Sequence, residues 1–261
     1  MEHKEVTFCL TSCGRVDELE KTIDSFLKFN DYPIKDWFII EDSGDTTVWS
    51  QIVSLNNNKW NKRFKLIFNS SNIGQNASID KMYAKVETEY IFHCEEDWQF
   101  YRGGFIEDSL KVLETQPKVL QVWIRPKSDR ILNPIEKRKF TLPGGVTVRR
   151  VLPVSFRIKG DQIVKDYMGF SWNPGLRRKS DWEIEPIKGN FTILKHEHII
   201  DLVYKKLGYM VVSLSEDDED GYVKHIGWNN RKMGNTESTD IAILHLSIVF
   251  FLIVHRGVST C

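Results

Sequence analysis

A chain of 261 residues, 41% hydrophobic and 28% charged, suits one large α/β core better than two independent ones and excludes extensive disorder. Its 36 Lys and Arg balance 36 Asp and Glu, so no global field favours nucleic acid, and no nucleic-acid partner is expected. The four cysteines, Cys9, Cys13, Cys94 and Cys261, form no CxxC pair, which argues against a structural zinc site. Cys9 and Cys94 lie in apolar runs and read as reduced core residues. The opening MEHKEVTFCL shows no signal-peptide pattern, so a cytoplasmic protein is expected.

The first half alternates strand and helix. Val6 to Leu10 is a β-rich run. Val16, Leu19, Ile23, Phe26 and Leu27 then recur at helical spacing, with Asp17 and Glu18 in the first turn. Trp37–Ile40 and Phe64–Phe68 are further strands, and Val48, Ile52 and Leu55 mark the short helix between them. Ile79, Met82, Tyr83 and Val86 predict another helix, and Tyr90–Cys94 a fourth strand. A helix over Phe105–Leu113 and a strand over Val119–Ile124 follow. The alternation predicts a mainly parallel sheet covered by helices, with ligands at the carboxyl ends of its strands.

The second half is less regular. The turn Leu142-Pro143-Gly144-Gly145 predicts a hairpin within 138–158, and Trp172-Asn173-Pro174-Gly175 a second turn. A helix over Glu197–Leu207 and a strand over Tyr209–Leu214 return to the α/β pattern. After a polar linker, Ile241–Val254 is apolar but shorter than the roughly twenty residues of a bilayer span. It reads as a docking helix, a buried strand or an interfacial anchor, which keeps peripheral membrane contact through the tail open.

Polar clusters follow four of the strands: Thr11 to Arg15, Glu41 to Gly44, Asn69 to Asn76, and Glu95 to Trp98. Each alone is an ordinary capped turn; together they line one sheet edge and point to a shared ligand site. Glu95-Glu96-Asp97 is the most informative. Three adjacent carboxylates repel unless donors or a cation relieve them, and hard divalent ions take such oxygen ligands. A solvated acidic turn is the competing reading. For Glu216 to Asp220 the solvated loop is preferred. Arg177-Arg178-Lys179 reads as a diphosphate holder, a lid or a surface patch, and Trp172 as an acceptor platform or core.

These segments resemble the inverting family 2 glycosyltransferases of the GT-A fold. VTFCLTSCGRVDELEKTIDSFL resembles that family's first strand, loop and helix, and FIIEDSG its second strand. SSNIGQNASIDKMYAKVETEYIFHCEEDW resembles its loop, helix and strand ending in the DxD metal motif, with Glu in the first place. HEHIIDLVYKKLGYMV is similar to the segment carrying the catalytic base, and VKHIGW to that of a metal-binding histidine. The likeness runs from Val6 to Trp228, and 125–180 match nothing in it.

The resemblance implies one GT-A-type α/β domain over 1–228, with a mainly parallel Rossmann-like sheet and a smaller β-rich acceptor portion. Residues 1–124 would bind the nucleotide sugar, 125–228 the acceptor, and 229–261 would be linker and tail. It implies inverting transfer from a nucleotide-sugar donor to a glycan or other hydroxyl acceptor, with Mn2+ or Mg2+ as cofactor. Asp42 would meet the nucleotide base, and Thr11, Arg15, Asn72, Gln75, Glu95 and Glu96 would line the donor site. Asp97, with Glu95 and His225, would hold the metal, and Glu197 would be the base. Asp181, Glu183 and Glu185 are the fallback carboxylates. A nucleotidyltransferase and a non-catalytic nucleotide-sugar binder are the alternatives; TSCGRVDE lacks the Gly-rich basic loop of the former.

Overall fold

A computed structural model describes residues 3–129, 132–158 and 163–227. The expectations for Trp228 and for the 229–261 tail lie outside the described residues. The first half is β1 (Val6–Ser12), α1 (Val16–Phe29), β2 (Asp36–Glu41), α2 (Thr46–Asn58), β3 (Lys65–Phe68), α3 (Gln75–Tyr83), β4 (Tyr90–Glu95), β5 (Trp98–Phe100) and α4 (Phe105–Thr115). There follow β6 (Val119–Trp123), β7 (Ile135–Thr141), β8 (Thr147–Val151), β9 (Val154–Arg157), β10 (Ile163–Tyr167) and β11 (Gly175–Arg178). Three helices, α5 (Lys179–Trp182), α6 (Phe191–Leu194) and α7 (Glu197–Lys206), precede β12 (Met210–Ser213) and β13 (Val223–His225).

The main sheet runs β11-β4-β1-β2-β3. Its last four strands are parallel, and β11 joins β4 antiparallel. β1 is buried along its whole length, as expected of a central strand covered on both faces. Cys9 and Cys94 lie in the core as expected. α1 packs Leu19, Ile23 and Phe26 onto this sheet, and Asp17 and Glu18 face the positive end of its dipole. Asp45 caps α2, accepting the N–H groups of Thr47 and Val48.

The second sheet runs β6-β12-β8-β7, with β6 and β12 parallel and the rest antiparallel. β7 and β8 are the expected hairpin around Leu142–Gly145. β6 reads from sequence as a further strand of the main sheet; here it pairs with β12, ninety residues away, and belongs to the second sheet. The short β5 pairs antiparallel with β13, setting Trp98 opposite His225. That ribbon brings Val223–His225 back to the end of β4.

Candidate functional site

The carboxyl ends of β1, β2 and β4 open into one cleft of about 1290 Å³. Arg15, Asn72, Glu95, Glu96, Asp97, Glu197 and His225 all line it. Thr11, Asp42 and Gln75 are not among its lining residues. Thr11 is buried in β1 between Ile40 and Glu95.

Glu95 closes β4, and Glu96 and Asp97 form the turn into β5. Donors from four residues relieve the crowding. Arg15 reaches Glu96 Oε1 and Asp97 Oδ2, each at 2.8 Å. The Cys13 N–H donates to Glu96, and Gln75 and the Trp98 indole donate to Glu95. Burial, with Asp97, Glu197 and Glu96 nearby, pushes Glu95 up to about 8. Burial also pushes Glu96 up to about 7 despite Arg15. Asp97 goes the other way: burial opposes its ionisation, but His225 and Arg15 together hold it below the usual range.

His225 Nε2 lies 3.1 Å from Asp97 Oδ2. Gly227 makes that approach possible, since a Cβ there would meet Asp97 Oδ2 at 2.4 Å. One carboxylate oxygen and one imidazole nitrogen converging in a cleft suit a divalent cation that draws its other ligands from phosphate and water. The residues therefore fit such an ion. Among the described residues no group of three His, Cys, Asp or Glu side chains forms a complete cage. Glu95 is engaged by Gln75 and Trp98 instead.

Asp42 is 5% exposed, and its oxygens accept the Asn69 amide and the Ile73 and Gly74 N–H groups. It ties the β3–α3 loop to the end of β2. The neighbouring Glu41, to which the sequence assigns no role beyond its polar cluster, holds the Gly14 and Ser43 N–H groups at 3.0 and 2.9 Å. Gly44, at φ +75°, lets this loop lie close to Ser70 and Ser71, where a Cβ would stand only 3.0 Å from Ser71 Cα. From this segment the cleft receives Ser43 and Asp45. Asn72 reaches toward Cys13 Sγ at 3.5 Å.

Glu197 is the first residue of α7 and lines both the cleft and a second cavity of about 530 Å³. Its Oε1 accepts the Trp172 N–H at 2.8 Å. The carbonyl of that same peptide, Ser171 O, accepts Gln121 and Arg177, so the peptide is polarised toward Glu197 from behind. Burial raises Glu197 above the usual carboxylate range, against the pull of the Trp172 N–H, Arg177 and Arg125. His196 and His198 stack 5.3 Å apart on the second cavity's wall.

Two sequence readings change here. Arg177 and Arg178 are neither lid nor surface patch. Arg177 is 6% exposed, with Phe170 and Trp172 beneath it, and Arg178 binds the Val119 and Gln116 carbonyls and Asp181. Asp181 is held by Arg178 and Tyr209, and neither it nor Glu183 or Glu185 lines the two cavities. Trp172 is core, 2% exposed, with one edge on the second cavity. Glu216 to Glu219 are exposed, as a solvated loop requires, and Arg149 fastens the loop from below. Arg125 went unnoticed in the sequence, although it stands just past an apolar strand, where ligand-facing residues collect.

The sequence profile described as glycosyl transferase family 2 matches residues 7–184. No curated protein sequence matches the chain. Among solved structures, GalNAc-T7 with UDP, GalNAc and Mn2+ superposes with a TM-score of 0.62 at 11% identity, over 95% of this chain and 48% of that one. The mannosyltransferase PcManGT from Pyrobaculum calidifontis, in complex with GDP-Man and Mn2+, gives 0.54 at 11% identity over 100% and 67%. S. aureus TarS 1-349 in complex with UDP-GlcNAc gives 0.51 at 14% identity over 95% and 65%. At these identities the likeness concerns the fold alone, which is that of GT-A glycosyltransferases. The chain spans about half of the first structure's length and about two thirds of the other two.

Proposed function

The chain belongs to glycosyl transferase family 2, and from that premise we propose that it moves a sugar from a nucleotide-sugar donor to an acceptor hydroxyl with inversion, aided by Mn2+ or Mg2+. The observation that carries this reading is one cleft that holds two chemically distinct groups. Asp97 and His225 converge in it, and Glu197 lines both this cleft and a second cavity. A carboxylate between two cavities suits a base that takes a proton from an acceptor as it meets the donor. In this reading the donor occupies the large cleft and the acceptor the second cavity.

Asp97 and His225 would hold the metal, with Glu95 close by. When bound, the ion supplies positive charge for the leaving diphosphate. Glu41 and Asp42 shape the loops around the nucleoside from behind, and Ser43, Asp45 and Asn72 face it. Arg15 holds Glu96 and Asp97 in place and, with His225, favours the ionised form of Asp97. Glu197, raised by burial and aimed by the Trp172 N–H, accepts the acceptor proton. Holding both substrates in line supplies much of the remaining rate. Residues 1–124 then form the donor half and 125–228 the acceptor half, and the 229–261 tail is the candidate for membrane contact. Among the described residues no helix is long and apolar enough to cross a membrane.

The test is to incubate the protein with a panel of nucleotide sugars and manganese and to measure free nucleoside diphosphate. NMR of the glycoside then reports the anomeric configuration. Diphosphate release with inversion is the expected result. Binding without release would favour a non-catalytic binder, and retention would remove Glu197 from the role of base.

A further inference from the structure

Arg125 follows β6 and lines both the large cleft and the second cavity. Its guanidinium carbon sits 5.8 Å from the Trp98 ring centre and 5.4 Å from that of Trp123, and both rings are buried. Its Nε is sealed from solvent with no hydrogen-bond partner. Glu95, Glu197 and Asp129 act on it through space; among the described residues no carboxylate reaches it as an ion pair. Arg15, the other arginine of the cleft, is by contrast bound to Glu96 and Asp97. Keeping a half-buried cation unpaired costs stability, and the cost is recovered when an anion arrives. A guanidinium fork suits phosphate oxygens.

We propose that Arg125 binds the donor's diphosphate on its acceptor-facing side and holds the oxygen that leaves the anomeric carbon. The proposal rests on the transferase reading above. Trp98, one of the rings under Arg125, also packs on His225 at 4.9 Å, so Arg125 belongs to the wall that carries the Asp97–His225 pair. The acceptor oxygen forms the new bond to the anomeric carbon as the bond to the phosphate oxygen breaks. The electron pair stays on that oxygen, and the acceptor proton passes to Glu197. The diphosphate thus departs with one more negative charge, beside a cation that no carboxylate among the described residues holds in an ion pair.

Calorimetry with UDP, GDP, uridine and guanosine tests this on the full chain, in manganese and in EDTA. Arg125→Gln should weaken whichever diphosphate the wild type takes by about ten- to hundredfold, as expected for a lost charge-assisted bond. The effect should persist in EDTA, and nucleoside affinity should not change. Arg125→Lys, which keeps the charge but not the fork, should fall between. The melting temperature of Arg125→Gln without ligand should equal or exceed that of the wild type, because an unpaired cation is removed. Unchanged diphosphate affinity in Arg125→Gln overturns the proposal, and with a lowered melting temperature it assigns Arg125 to packing between the two indoles. A wild type that binds neither diphosphate overturns the transferase reading, and this proposal with it.

Discussion

Replacing Glu197 with Gln separates chemistry from architecture. The glutamine carbonyl can accept the Trp172 N–H that Glu197 accepts at 2.8 Å, so α7 should keep its start. The stability effect has a definite sign. Burial raises the folded-state pKa of Glu197 above its unfolded value of about 4.3. The favourable contribution of such a carboxyl is complete below the unfolded value and is lost as pH rises through the folded one. At neutral pH ionised Glu197 therefore costs stability, and Glu197→Gln should melt at or above the wild-type temperature. Its rate should fall about 10²–10⁴-fold, the usual span of general-base catalysis, or roughly 3–5 kcal/mol of barrier. Diphosphate release followed against pH is the assay. The wild type should lose rate as pH falls through the raised pKa of Glu197, on a limb lying above the ordinary glutamate range. Glu197→Gln should lack that limb while binding donor normally. A near wild-type rate with the limb intact would refute the assignment.

Asp97→Ala should abolish turnover and manganese-dependent nucleotide binding. The wild type should gain about 2.7 kcal/mol of stability at a hundredfold excess of ligand over its Kd, and an equal thermal upshift in the variant would rule out the metal role. Asp42→Ala orphans three donors and should cost about 2–4 kcal/mol, seen as a melting temperature lower by roughly 5–10 °C. A changed nucleotide preference at unchanged stability would instead make Asp42 a base contact. Gly227→Ala puts a methyl group 2.4 Å from Asp97 Oδ2; manganese titration should show weaker metal-dependent nucleotide binding, and unaltered binding would separate that strand end from the metal site.

Much of the fold is legible in the sequence because it rests on neighbours along the chain. The apolar run from Val6, the spacing of Leu19, Ile23 and Phe26, and the Leu142–Gly145 turn each meet the structure within a few residues. The cleft's location follows as well, since polar residues after parallel strands must gather at one edge. Partners are another matter. A strand's own pattern shows which faces it buries and not what lies beside it. So the antiparallel docking of β11 on β4 and the departure of β6 to the second sheet were decided by packing across the molecule. The same holds for charge. Arg177 sounds like a surface residue until Phe170, Trp172 and the Ser171 carbonyl enclose it. Asp42 looks ligand-facing until a loop thirty residues on takes up its oxygens. His225 meets Asp97 only because β13 pairs with β5. The residue types were set by the sequence; whether each charge meets solvent, protein or a ligand was set by tertiary contacts, because the cost of burying it depends on groups brought in from distant parts of the chain.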